Sequence, residues 1–237
     1  MFQKAFFTLL ALASCAFADT QAPAAYSGDF VVKVNYRYLL SKPEGYEADP
    51  AKKWPLVIFL HGSGERGTDL ELLKKHGPPK LVASGQRFPA VIASLQCEPR
   101  QIWSPHGVKA VTDHLMQTER IDASRVYLTG LSMGGFGTWE TAMEYPDTYA
   151  AIAPICGGAG VRWVMAERIR HLPCWIFHGD KDAAVPVENS HKIHDALKKA
   201  GAPVKLTIYP GVGHDSWTQT YDNPEFWSWL FAQKKGA

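Results

Sequence analysis

The stretch DFVVKVNYRYLL, residues 29–40, alternates apolar and polar positions, the pattern of a strand with one covered face. Pro43, Gly45 and Pro50 break the pattern. Six runs of another kind follow: WPLVIFLHG from residue 54, PAVIASLQC from 89, RVYLTGLS from 125, YAAIAPICGG from 149, PCWIFHGD from 173 and VKLTIYPG from 204. Each is short and continuously apolar, as strands covered on both faces are. Between or after them, VKAVTDHLMQTE, FGTWETAMEYP, VENSHKIHDALKKAG and PEFWSWLFAQ read as helices. Buried strands alternating with helices predict an α/β fold, a mostly parallel twisted sheet flanked by helices. Only residues 159–172 separate ICGG from PCWIFHG, which leaves room for one short helix around VRWVMAERI and none for a large cap.

The N-terminus changes the picture of where the chain works. MFQKAFFTLLALASCAFA, residues 1–18, has one Lys, then an apolar run, then small residues, the order of a secretory signal. The run is too short to span a bilayer, which takes ~20 residues. Two endings compete: Ala16-Phe17-Ala18 fits a cleavage site before Asp19, and Leu12-Ala13-Ser14-Cys15 resembles a lipobox in which Cys15 carries a lipid. The expectation is an exported protein, periplasmic or secreted, or else an outer-membrane lipoprotein whose one membrane contact is the anchor at Cys15. Residues 19–237 then form a single catalytic domain, for no linker, repeat or low-complexity stretch divides them. The net charge of +2 is dispersed, with only short Lys pairs such as Lys74-Lys75 and Lys198-Lys199, and gives no nucleic-acid footprint. Cys97, Cys156 and Cys174 contain no CxxC pair, which argues against structural zinc. Each reads as a small buried hydrophobe, with a Cys156–Cys174 bridge as the alternative.

Chemistry enters at Gly130-Leu131-Ser132-Met133-Gly134, a G-x-S-x-G between a strand and a helix. In that context the serine sits on a sharp turn, and glycines two before and two after it avoid collisions. A serine hydroxyl needs a base and an orienting acid, in the chain order Ser, Asp or Glu, His. DKDAAVP after one strand supplies Asp180 and Asp182, and VGHDSW after the next supplies His214. All three groups fall past the C-terminal ends of their strands, the edge where open α/β sheets bind ligands. Asp182 is the better acid, because Asp180 stands too close to its strand and suits a turn-stabilising bond. Asp215, next to His214, cannot fold back on the same ring. His61 and His178 also sit at strand ends, but precede the carboxylates. His191 and His194 suit a helix surface, and their spacing lacks the carboxylates of a metal site. No metal or cofactor is called for.

Stabilising an oxyanion requires donors. One is the amide of Met133, after the nucleophile; the other comes from FLHGSGERG, 59–67, through the amide of Ser63 or, less well placed, Gly64. Trp103 and Trp217 lie on loops at the same edge, where either could wall a substrate pocket or pack into the core, while Trp227 and Trp229 suit the core.

On FLHGSGERG, TGLSMGGFGTWE, FHGDKDAAVP and GHDSW, the chain resembles the α/β-hydrolase superfamily over its mature length. It is similar to the bacterial serine esterases described as phospholipase/carboxylesterase or predicted peptidase, near the dienelactone hydrolases and the feruloyl and acetylxylan esterases. The resemblance implies Ser132 as nucleophile, Asp182 as acid and His214 as base, and it extends to Glu65 and Arg66 of the oxyanion loop. The chain departs from the peptidases of the wider clan in lacking their propeller domain, and from the dienelactone hydrolases in carrying Ser132 where they use cysteine. The expectation is a carboxylesterase acting on small esters or on feruloyl or acetyl groups of plant-wall polysaccharide. A peptidase or amidase with the same triad, and a non-catalytic carbohydrate-binding protein, are the alternatives.

Overall fold

The computed structural model describes residues 35–236 without a break, together with 23, 25–29, 31 and 33. The signal expected at 1–18 and its Cys15 lie outside the described residues. Contacts divide the chain into residues 1–32, of whose described residues none is in a helix or strand, and a body from Lys33 to Ala237 that carries every element below. Among the described residues no helix is long and apolar enough to cross a membrane.

Seven strands make one sheet: β1 (Arg37–Ser41), β2 (Trp54–Leu60), β3 (Val91–Gln96), β4 (Ile121–Leu131), β5 (Ala151–Ile155), β6 (Cys174–Gly179) and β7 (Val204–Tyr209). Their order is β1-β3-β2-β4-β5-β6-β7. β1 is an antiparallel edge and all other pairs are parallel, so the mostly parallel sheet expected from the pattern is what forms. The unalternating runs are explained by burial on both faces. Leu56, Ile58 and Leu60 of β2 join one core cluster, whereas Val57 and Phe59 join the other, as the two-residue period of a strand requires. α2 (Pro105–Thr118), α3 (Met133–Glu144) and α4 (Glu188–Lys199) cover the first face. α1 (Gly77–Ala83), α5 (Trp217–Asp222) and α6 (Pro224–Ala232) cover the second.

Some elements differ from the sequence pattern. α1 and α5 are too short for a helical period to stand out, and Pro78 and Pro79 disguise α1. Proline is tolerated there because it falls in the first turn, where N–H groups have no intrahelical partner. The small cap is a 3₁₀ stretch, Gly160–Ile169, kinked at Met165. The Cys156–Cys174 bridge does not form: Cys97, Cys156 and Cys174 are buried and free. Cys174 belongs to the core on one face of the sheet and Cys156 to the core on the other, so their side chains diverge.

The turn from β4 into α3 fixes the position of Ser132. Its φ is 52°, in the region disfavoured for residues with a Cβ, and its N–H donates to Ile155 O at 2.9 Å. Two glycines make the turn possible. A Cβ on Gly130 would stand 2.4 Å from Gly134 O, and one on Gly134 would stand 2.0 Å from Leu60 O. The first turn of α3 therefore lies directly on the backbone at the end of β2. Backbone cannot swing aside as a side chain can, so Gly134→Ala is expected to cost about 3 kcal/mol in urea unfolding. Nothing lies within 4 Å of a Cβ on Gly64, and Gly64→Ala should stay within about 1 kcal/mol of the wild type.

Candidate active site

Ser132 occupies the N-cap of α3, yet its hydroxyl makes no capping bond. It reaches His214 Nε2 instead, at 2.9 Å. His214 Nδ1 lies 2.7 Å from Asp182 Oδ2. A carboxylate oxygen can only accept, so the Nδ1 proton lies between ring and acid, and in the neutral ring Nε2 offers its lone pair to the serine. The side chain of Asp182 is fully buried, and its other oxygen accepts from the N–H groups of Ala184 and Val185, each at 2.8 Å. Burial pushes the Asp182 carboxyl up, but the bonds from His214, Val185 and Ala184, with the charge of His214, outweigh it and hold the group below the usual carboxylate range. Asp180 takes the turn role, accepting from Gly211 N–H at 2.7 Å. Asp215 accepts from the Thr218 N–H and hydroxyl, both at 3.0 Å, and so holds the start of α5.

Chain order excludes His178 as the partner of Ser132, and the structure places it beside Asp182. It is fully buried behind the acid, with Nε2 at 3.1 Å from Asp182 Oδ2 and 2.9 Å from Val185 O. Both neighbours are acceptors, so Nε2 carries a proton shared between them. Its Nδ1 bonds Ser190 Oγ at 2.7 Å, which ties the ring to α4. The sequence signal was the His178–Asp182 spacing within HGDKD. Among the described residues one donor set is close enough to share a metal: atoms of Cys156, Asp182 and His214 lie within 4.8 Å of one another. Burial pushes the Cys156 thiol up to about 12, so it keeps its proton at neutral pH. Asp182 and His214 already engage each other, and the set does not fit a metal site.

The expected oxyanion donors flank Ser132. Met133 is the first residue of α3 and Ser63 the first of a 3₁₀ turn, Ser63–Glu65. First-turn N–H groups have no partner within their helix. Ser63, Gly64, Ser132 and His214 border one recess of about 210 Å³. His61 braces this loop. Its Nε2 accepts from Cys97 N–H at 2.9 Å, and burial lowers its pKa to about 4, so the ring is neutral at working pH. Trp103 packs against His61, donates to its carbonyl at 3.1 Å and is only 2% exposed, so most of it is core. Its rim still borders a second recess of about 250 Å³, with Ile102, Met133 and Phe136. Trp217 walls the first recess, edge-on to the His214 ring at 5.3 Å.

Two measurements test this electrostatic arrangement. His178→Leu removes one donor to Asp182 and should lower kcat roughly ten-fold, while His178→Gln, which keeps a nitrogen donor, should lose less. The folded pKa of Asp182 is depressed. Its stabilisation is therefore complete above the ordinary carboxylate pKa and is lost as pH falls through the lower folded value. In unfolding from about pH 7 to about pH 2, the advantage of the wild type over Asp182→Asn should shrink with acid; a constant advantage contradicts the assignment.

Comparison with known proteins identifies the fold and the family. Over 119 residues the chain is 49% identical to poly(3-hydroxyalkanoate) depolymerase C of Paucimonas lemoignei, covering 44% of this chain and 28% of that protein. Over 150 residues it is 35% identical to the bifunctional acetylxylan esterase/xylanase XynS20E of Neocallimastix patriciarum, covering 61% of this chain and 21% of that one. The chain thus spans under a third of the length of these curated relatives. A crystal structure of a thermostable esterase superposes with a TM-score of 0.74 at 37% identity, over 85% of this chain and 60% of that one. The fold is that of the α/β-hydrolases. The dienelactone hydrolase family model matches residues 96–225, a span that holds the turn at Ser132, the acid loop at Asp182 and the histidine loop at His214. By that match this chain belongs to the dienelactone hydrolase family.

Proposed function

We propose that the protein is an exported serine carboxylesterase that works through an acyl-enzyme, with Ser132 as nucleophile, His214 as base and Asp182 as its orienting acid. The observation that carries the reading is the unbroken hydrogen-bond chain Ser132 Oγ–His214–Asp182, at 2.9 and 2.7 Å, at the top of a turn that holds the hydroxyl clear of the backbone. His214 Nε2 takes the hydroxyl proton as Oγ attacks the ester carbonyl. Asp182 keeps the proton-bearing Nδ1 toward itself and stabilises the charged ring. The N–H of Met133 and that of Ser63 or Gly64 receive the oxyanion. The imidazolium then returns its proton to the departing alcohol, and water repeats the sequence on the acyl-enzyme. None of these steps calls for a metal or cofactor.

The substrate class we favour is the acylated polysaccharide or a small ester related to it, with acetyl or feruloyl groups as the acyl part. The likeness to a fungal acetylxylan esterase supports it, as does the small size of the cap, which leaves the recesses at Ser132 open to a chain.

A fluorophosphonate should label Ser132, located by mass spectrometry, and Ser132→Ala should abolish the label and lower turnover by a factor on the order of 10⁶. Side-by-side rates on p-nitrophenyl acetate, methyl ferulate, acetylated xylo-oligosaccharide and a peptide anilide then read the substrate. Faster turnover of the anilide favours a peptidase, and an unlabelled, inactive protein favours a carbohydrate-binding role.

A further inference from the structure

Glu65 has no part in the mechanism above, and its surroundings call for one. It closes the 3₁₀ turn at Ser63–Glu65, is only 6% exposed, and its own carbonyl accepts from Gln96 Nε2 at 3.1 Å, so the backbone beneath it is fixed. Among the described residues no hydrogen bond reaches its carboxylate. Two ring nitrogens stand just beyond that range, His61 Nδ1 at 4.0 Å and His76 Nε2 at 3.9 Å, and His76 is tied by its other nitrogen to Trp217. His61 cannot become its cation, since burial holds that ring neutral and its Nδ1 is turned to Gly62 O. Arg66 points elsewhere, to Ser63 O at 2.9 Å and Gln101 O at 3.4 Å. A side chain more than nine-tenths buried whose carboxylate accepts no protein hydrogen bond leaves acceptor positions for a ligand to fill.

The carboxylate faces the chemistry. It borders the same recess as Ser132, His214, His76 and Trp217. A Cβ on Gly62 would stand 2.8 Å from Leu131 Cδ1, 3.4 Å from Glu65 Oε2 and 3.7 Å from Ser132 Cβ, so Glu65 and Ser132 both approach the backbone at residue 62, which has no room for a side chain. The two recesses beside Ser132 are also unlike. One is walled mainly by Ile102, Trp103, Met133 and Phe136, with Glu140 as its one charged residue, the other by His76, His214, Trp217 and Glu65. His214 must hand its proton to the leaving oxygen, so the alcohol part of the ester lies on the His214 side, with Glu65, and the acyl part lies against the recess of Trp103 and Phe136.

We propose that Glu65 determines specificity for the alcohol, accepting hydrogen bonds from its hydroxyl groups, so that esters of sugars and other polyols are preferred to esters of simple alcohols. This rests on the serine-esterase reading. A bare carboxylate beside the forming oxyanion opposes its charge. Hydroxyl donors from the substrate offset that opposition, most strongly in the transition state, so the preference falls mainly in kcat. The indole of Trp217 gives a sugar ring an apolar wall in the same recess.

The test compares ethyl acetate, an acetylated methyl xyloside and 2-(dimethylamino)ethyl acetate, which share one acyl group, on the wild type and on Glu65→Gln. The wild type should favour the xyloside over ethyl acetate at least ten-fold in kcat/KM, and the variant should lose roughly ten- to hundred-fold of that ratio. Fluorophosphonate labelling of Ser132 in the same preparations separates the two claims. Absent labelling overturns the esterase reading. Intact labelling with an unchanged ratio in the variant overturns the role of Glu65 alone. A preference for the ammonium ester that Glu65→Gln abolishes overturns the hydroxyl assignment, since the carboxylate then serves a cation. If the variant does not fold, the wild-type panel decides: no preference for the xyloside over ethyl acetate overturns the proposal.

Discussion

The carbonyl oxygen of Leu60 and the α-carbon of Gly134 are in contact, and the rest of the site follows from that contact. The end of β2 presses on the first turn of α3 so closely that no side-chain atom fits between them. The end of β5 closes in from the other side, where Ile155 O accepts the Ser132 N–H and would lie 2.6 Å from a Cβ on Gly135. Squeezed between two strands, the chain can leave β4 for α3 only by a turn that puts Ser132 at φ 52°. The strain has three effects. The hydroxyl is driven out of the backbone layer, the free N–H groups of α3 gather behind it, and the loop after β2 is brought alongside. The last effect carries Ser63, Gly64 and Glu65 to the same recess as the serine. Side chains on these glycines would have to separate layers whose mutual burial is the core itself.

A second constraint is electrostatic. Asp182 has lost its water, since no part of its side chain is exposed, and four protein donors stand in for it: His214, His178, Ala184 and Val185. Dividing the donors between the two oxygens leaves Oδ2 bound to both rings and Oδ1 to the backbone. The backbone pair keeps the carboxylate from rotating, and His178, tied to α4 through Ser190, keeps it from retreating. The His214 ring, by contrast, is 29% exposed and held chiefly from its acid side. The rigidity of the His214 ring is thus borrowed from Asp182.

What could be read from the chain alone follows from range. The six buried strands announce themselves because burial on both faces removes polar residues from the run, and Ser132, Asp182 and His214 follow from their places after three such strands. α1 and α5 lacked a full helical period, and the 3₁₀ turns have none to display. The divergence of Cys156 and Cys174 depends on which face of the sheet each strand position takes, which no local pattern encodes. Chain order correctly excludes His178 as the partner of Ser132, but it says nothing of a residue that bonds Asp182. Trp103 and Trp217 were equivalent on the sequence. Packing against His61 buries one, and the short helix after His214 keeps the other at the recess.

On the proposed mechanism, the choice of serine accounts for the structure that stands behind Asp182. A thiol loses its proton far more readily than a serine hydroxyl. An enzyme that attacks with serine depends more heavily on a base held in one tautomer, because the hydroxyl is never ionised beforehand. The nearby thiol of Cys156 does not relieve that demand: it is fully buried and pushed up to about 12, so it stays protonated under the site as packing. Four donors to Asp182, His178 among them, hold such a base in place. Glu65, whose carboxylate accepts no hydrogen bond among the described residues, lines the recess beside Ser132 and His214, where a substrate's own hydroxyls can reach it.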